Sequence, residues 1–349
     1  MNQQKKLTRK EMRVDFEGKV GALDRFKQRV FSWRFLGQVV WMILRYVLLV
    51  GISYIILFPF ITKITGSFMS PSDFADQTVK LIPKSPTLEQ YIFIIKENGY
   101  WGALFNTGWI SIMCGVLQTL ICAVVGYGFA KFKFRGRNIL FVAVIISLLI
   151  PHDTLLLSMF MRFRYFDIGG LEIGPLDIPG FIELITGGKT FNLLNTPWHL
   201  FFLSITGLAF KNGLYIFIFR QFYKGVPDEL EEAAYIDGKG VFGTFFSIIM
   251  PLSVPMMTTV FMFSFSWQWT DTFYTSSKFF TSTNAPTMLT SIVGKIPPTL
   301  KDTAGAVEGL WESAITNTSG LLVILPLFII FLFAQRSFVE GIERSGIVG

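Results

Sequence analysis

Six stretches of this chain stay apolar for close to the ~20 residues needed to cross a bilayer. They cover about 38–62, 104–130, 138–160, 199–220, 245–269 and 314–335, the last with its strongest part in "LLVILPLFIIFLF". No other feature restricts the fold as much. The composition agrees: of 349 residues, 51% are hydrophobic and 16% charged, against roughly a quarter charged in soluble domains. The expected fold class is an all-α polytopic membrane protein with six transmembrane helices and the lipid bilayer as its surroundings.

Orientation follows from Lys and Arg, which favour cytoplasmic loops. With the N-terminus inside, the cytoplasmic segments 1–37, 131–137, 220–244 and 336–349 hold ten, four, three and two. The longer stretches 80–101, 161–198 and 270–313 hold three each. Both termini are therefore expected in the cytoplasm. The net charge of +7 becomes a topology signal and not a nucleic-acid footprint, so no nucleic acid is expected as a partner.

The first 37 residues are too long and too charged for a signal n-region, and no small-residue cleavage site follows. They read as a cytoplasmic basic segment. Within it, "ALDRFKQRVFSWRFL" at 22–36 places Leu23, Phe26, Val30 and Trp33 at helical spacing, the pattern of an interfacial helix. A solvated basic arm is the other reading. The permease domain is expected over 38–349, with an external insertion at 161–198.

Catalytic and metal-binding patterns are missing. "GGKT" at 187–190 comes nearest to a phosphate-binding loop, but Glu183 stands where its first Gly belongs. The topology also turns it away from cytoplasmic ATP. No catalytic residue, metal site or cofactor is expected. Cys114 and Cys122 lie eight residues apart on one predicted helix, ~12 Å at 1.5 Å per residue, too far to bridge; both read as core.

Lys211 falls inside the fourth run, followed by Asn212 and Gly213. A lysine at the bilayer centre costs roughly 2.5–3.5 kcal/mol on insertion scales. Lys211 and Asn212 either line a water-filled path for a polar solute, or the lysine snorkels or meets a neighbouring subunit.

Between two apolar runs lies "PDELEEAAYIDGKG" at 227–240. Pro227 suits a first helical position. Asp228, Glu229, Glu231 and Glu232 suit the positive end of a helix, and Gly238 or Gly240 can end it. The predicted helix, 227–238, is too short to stand alone. Leu230, Ala233, Ala234 and Asp237 share a shallow face by spacing, which predicts a helix seated in a partner's groove. Packing on its own bundle is the alternative.

"EAAYIDGKGVFGTFFSIIMP" resembles the signature of inner-membrane permease subunits of ABC importers. That signature is Glu-Ala-Ala, three residues, Gly, nine residues, then Ile-x-Leu-Pro. It falls on Glu232, Ala233, Ala234, Gly238, Ile248 and Pro251, with Met250 in place of Leu. "IPKSPTLEQY" at 82–91, "GYGFAKFKFRGRN" at 126–138, "FRQF" at 219–222 and "FVEGIERSGIVG" at the end resemble the carbohydrate branch, the maltose-type second permease.

The resemblance implies a type I ABC importer permease in the plasma (inner) membrane of a prokaryote. Its partners would be a homologous second permease, an ABC ATPase dimer at the cytoplasmic face, an extracellular or periplasmic solute-binding protein, and a sugar substrate. It also implies that 227–238 is the coupling helix. Glu232 then makes the polar contact to the ATPase, Ala233, Ala234 and Gly238 give close approach, and Asp237 helps fix the helix end. The family's Trp-Asn-Asp near the end of the fifth run appears here as Trp269, Thr270 and Asp271, which adds Trp269 and Asp271 to the solute pathway with Lys211 and Asn212. A stand-alone secondary transporter or channel is the competing class, and it predicts coupling carboxylates or repeated broken helices.

Overall fold

The computed structural model describes residues 33–168, 171–173, 176–178, 180–188, 190–209, 211–275, 278–303 and 308–346. The basic segment and most of the expected interfacial helix lie outside them. The described chain divides after Lys63 into two units. The first holds most of the Trp33–Gly66 helix, whose apolar side chains from Val40 to Ile61 are exposed. An all-round apolar helix with nothing buried is a surface made for lipid.

In the second unit the Tyr100–Lys131 helix is the hub. It packs most extensively on the Asn212–Lys224 and Val254–Trp269 helices, and also on Trp198–Ile205. Gly126 makes the first contact possible. A Cβ there would lie 2.5 Å from the Phe219 Cβ and 3.1 Å from the Arg220 nitrogen. Cys114 and Cys122 are free and fully buried along this helix.

Among the described residues, three helices are long and apolar enough to cross a membrane: Gly37–Gly66, Tyr100–Lys131 and Gly309–Arg336. The third and fifth runs are bent. Arg137–Ser147 meets His152–Arg164 at 97°, and Val241–Leu252 meets Val254–Trp269 at 78°. Each break has a proline beside it. Pro151 lacks an N–H and disfavours helix in Ile150 before it, and Pro251 and Pro255 flank Ser253.

The fourth run differs most from expectation. It is two helices, Trp198–Ile205 and Asn212–Lys224, too short to count as one span. Gly207 takes φ +74°, and Gly207 and Leu208 donate back to the carbonyls of Ser204 and Leu203 at 3.4 and 3.0 Å. That pattern is a Schellman stop. Irregular backbone at membrane depth is tolerated where it is buried in protein or lines a cavity.

The 161–198 insertion adds the only strands among the described residues, an antiparallel hairpin of Leu171–Ile173 and Leu176–Ile178. Beyond this short hairpin the described chain is helical, as expected. Asp167 is buried beneath the insertion's short Phe181–Thr186 helix and accepts the Glu183 N–H at 3.0 Å. The 270–313 loop is tied down as well: Asn98 donates to the Lys295 carbonyl at 2.7 Å, and Thr107 accepts the Leu289 N–H at 2.9 Å.

Candidate functional site

Two places hold most of the residues singled out in the sequence. The first is the short acidic helix, Glu229–Ile236. Asp228 precedes it, and Glu229, Glu231 and Glu232 fill its first turn, where the dipole favours negative charge. At the far end Gly238 takes φ +78°, and Gly238 and Lys239 donate to the carbonyls of Tyr235 and Ala234 at 3.0 and 2.9 Å. This is again a Schellman stop.

The helix is held from beneath by Lys131, in the last turn of the hub helix. Its ammonium donates to the Val226 carbonyl at 2.7 Å, pairs with the Asp228 carboxylate, and lies 3.5 Å from Glu231. The hydrogen bond from Lys131 and its charge, with Lys133 adding to them, hold the Asp228 carboxyl below the usual carboxylate range.

Burial divides the helix faces. Glu231 and Ala234, three residues apart, turn inward. Glu232, Ala233, Asp237 and Gly238 are exposed, as is Ile236 at 86%. The face expected from spacing is therefore split. Ala234, 1% exposed, gives close approach to its own bundle and not to the outer surface. Lys131 and Ile236 were missed, and Glu231 was read only as an acid of the first turn, not as the inward partner of Lys131. The three-residue step from Glu231 to Ala234 was a usable signal, but the tie to Lys131 spans about a hundred residues and leaves none.

The second place is a cavity of about 170 Å³ at the break in the fourth run. Lys211 stands at the N-cap of the Asn212–Lys224 helix, with its ammonium 4.5 Å from the centre of the Trp267 ring. Gln118, on the hub helix, accepts from Ser264 Oγ at 2.8 Å and donates to Ser204 Oγ at 3.3 Å. Its amide ties three elements together at the cavity wall.

Asp271 lines the cavity, yet its carboxylate serves its own turn. It accepts the N–H groups of Phe273, Tyr274 and Thr275 at 3.1, 3.3 and 2.8 Å. Trp269 does not line it. Its indole N–H donates to the Val323 carbonyl at 3.0 Å, and the ring sits in a core with Phe265 and Ile315. Residues two apart on a helix point ~200° apart, so Trp267 faces the cavity and Trp269 the core. Asn212 also lies outside the cavity lining; it is fully buried, and its side-chain amide has no hydrogen-bond partner among the described residues.

Residues 115–344 match the family described as binding-protein-dependent transport system inner membrane component. The arabinooligosaccharides transport system permease protein of Halalkalibacterium halodurans is 30% identical, over 88% of this chain and 98% of its own. The galactooligosaccharides transport system permease protein of Bacillus subtilis is 27% identical, over 87% and 94%. Among solved structures, a bacterial ABC transporter involved in the import of the acidic polysaccharide alginate aligns with TM-score 0.66 at 17% identity. That alignment covers 88% of this chain and 99% of the other, and at such identity it is a likeness of fold.

Proposed function

Since the chain belongs to the family of binding-protein-dependent transport system inner membrane components, we propose that it is the permease subunit of an ATP-driven oligosaccharide importer. The names of its relatives support sugar as the solute class. In this reading the subunit is non-catalytic and multi-pass in a prokaryotic plasma membrane. It pairs with a homologous permease, an ATPase dimer inside and a solute-binding protein outside.

The observation that carries the reading is the Lys131 clamp. A ten-residue-scale helix cannot persist alone in water, but this one is pinned to the hub helix of the core. Its outer face, with Glu229, Glu232, Ala233, Ile236 and Asp237, is left for the ATPase. Gln118 lies thirteen residues before Lys131 on the same helix, ~20 Å away at 1.5 Å per residue. A pull on the short helix is then passed along one rigid rod to the cavity wall, where Gln118 bridges Ser204 and Ser264. Six spans, with 227–238 as the coupling segment and 161–198 outside, complete the proposal.

The test is a pull-down of the co-expressed permease pair and ATPase, comparing wild type with Glu232→Lys. Charge reversal on the exposed face is expected to weaken ATPase capture and uncouple hydrolysis from uptake, with the permease pair intact. Unchanged capture and unchanged transport would remove the coupling role and favour a stand-alone secondary transporter, for which the broken fourth run is a suitable site.

A further inference from the structure

The Arg137–Ser147 helix begins beside the end of the Asn212–Lys224 helix, and cations collect at that joint. Arg137 opens the first helix, with Lys133 and Arg135 in the turn before it. Arg220 and Lys224 stand one turn apart at the end of the second. We propose that this cluster binds the phosphate headgroup of an anionic phospholipid, whose acyl chains lie along the Arg137–Ser147 helix. The site goes beyond the permease reading and requires no particular solute.

The register of the two helices brings the charges together. A Cβ on Gly213 would lie 2.9 Å from the Val144 carbonyl oxygen, and Phe141 stacks on Phe217 with ring centres 6.3 Å apart. The Arg220 guanidinium lies 3.9 Å from the centre of the Phe141 ring, and its Nε is buried with no hydrogen-bond partner. A ring face stabilises a cation but gives that N–H no acceptor. Desolvation, and then the charges of Arg220 and Arg137, lower the pKa of Lys224, so the cations crowd one another.

Nothing nearby balances them. Among the described residues none of these five cations forms an ion pair, and the neighbouring acids Asp228 and Glu231 are taken by Lys131. Lys133 acts on Asp228 through space, and Arg137 donates only to the Phe132 carbonyl, at 3.2 Å. The helix dipole adds to the excess. The Arg137–Ser147 helix has no acid in its first turn and no side-chain cap, although a helix start favours negative charge. Gly136, at φ +86°, turns the chain so that Lys133 to Ile139 line an open hollow at this positive end.

The surroundings select a lipid over a soluble anion. Apolar surface starts at once beyond the cations: Ile139 is 77% exposed, Leu140 and Val142 are exposed, and no residue of the helix is buried. A free phosphate would use the charges alone. A phospholipid uses both parts, with its headgroup on a basic pocket between membrane helices and its chains on the apolar stripe that follows.

The test is native mass spectrometry of the transporter complex in mild detergent, loaded with equal amounts of phosphatidylglycerol and phosphatidylcholine of matched chains. Wild type is expected to keep phosphatidylglycerol in preference. Arg137→Gln combined with Lys224→Gln should weaken the binding of one such lipid by about 25-fold, roughly fivefold for each cation removed. Arg137→Lys with Lys224→Arg should retain it, as should Lys80→Gln with Lys96→Gln, which removes the same charge elsewhere. If the double Gln variant aggregates, Lys224→Gln alone should show about fivefold. Equal retention of the two lipids by wild type, or unchanged binding in the Gln variants, overturns the proposal. An equal loss in the Lys80 and Lys96 variant also overturns it, by assigning the effect to net charge. Displacement by excess inorganic phosphate would assign the cluster to a soluble anion, and loss of the lipid when the ATPase joins the permease pair would assign it to that contact; either result removes the lipid site. Lipid retention is read without transport, so a failure of the sugar reading in uptake assays leaves this result separate.

Discussion

Lys131 and Glu231 stand 3.5 Å apart, each with a side chain at most 10% exposed, at the joint between the hub helix and the short acidic helix. The same ammonium reaches the carboxylate of Asp228 and the carbonyl of Val226. One cation therefore fixes the start and the underside of a helix that has no other strong anchor of opposite charge among the described residues. Removing either partner leaves a buried charge uncompensated, and that asymmetry makes the joint testable.

Lys131→Met should strip Glu231 of its counter-charge. Breaking a buried pair costs about 3–5 kcal/mol, while the exposed Asp228 contact adds little. The expected result is a lowered melting temperature of the purified permease pair and ATP hydrolysis that no longer tracks uptake. Adding Glu231→Leu should restore most of the stability, because an apolar pair tolerates the same burial. A single variant that melts like wild type would show that the pair does not hold the helix.

The Asp228 contact has a definite pH signature. Its folded carboxyl is held below the usual aspartate range, chiefly by the hydrogen bond from Lys131. Its contribution is fully present above the unfolded value and is lost as pH falls through the lower folded one. Seating of the short helix should be flat across neutral and mildly acidic pH and loosen only below about pH 4. Limited proteolysis at 227–240 across a pH series reads this directly; loosening near pH 6 would assign the control to another group.

Gly126→Ala should weaken the main helix contact. The new Cβ would sit 2.5 Å from that of Phe219, with backbone beside it that cannot give way. Overpacking of this kind costs roughly 1–3 kcal/mol. Thermal unfolding in detergent should fall accordingly, whereas Gly102→Ala, with open space around its position, should be silent. Equal melting of the two variants would contradict the packing.

Trp269→Phe and Trp267→Phe should separate structure from transport. The first loses the indole bond to the Val323 carbonyl and should cost about 1–3 kcal/mol of stability, with little change in the substrate concentration for half-maximal uptake. The second should leave melting near wild type and raise that concentration. Paired melting and uptake curves decide the matter, and the opposite assignment would return Trp269 to the pathway.

Much of this was legible along the chain. Apolar length marked the membrane runs, and the acidic start and glycine stop marked the short helix to within two residues at each end. Both signals are local: a hydrocarbon slab sets run length, and capping depends on neighbours in sequence. The breaks were less legible. Pro151, Pro251 and Pro255 were visible, but hydropathy averages over them, so bent pairs read as single spans. Gly207 ended a helix inside the fourth run without changing its apolar character.

The sequence by itself determined that the chain is a helical membrane protein, which family it resembles, and where its polar interruptions fall. Those follow from properties each residue carries alone or shares with its near neighbours. Only the tertiary structure decided which face each interruption presents. It turned Ala234 inward and Glu231 onto Lys131, put Trp267 at the cavity and Trp269 in the core, and committed Asp271 to its own turn. The physical reason is range: orientation depends on contacts between helices far apart in the chain, and no local pattern records which of those surfaces will meet.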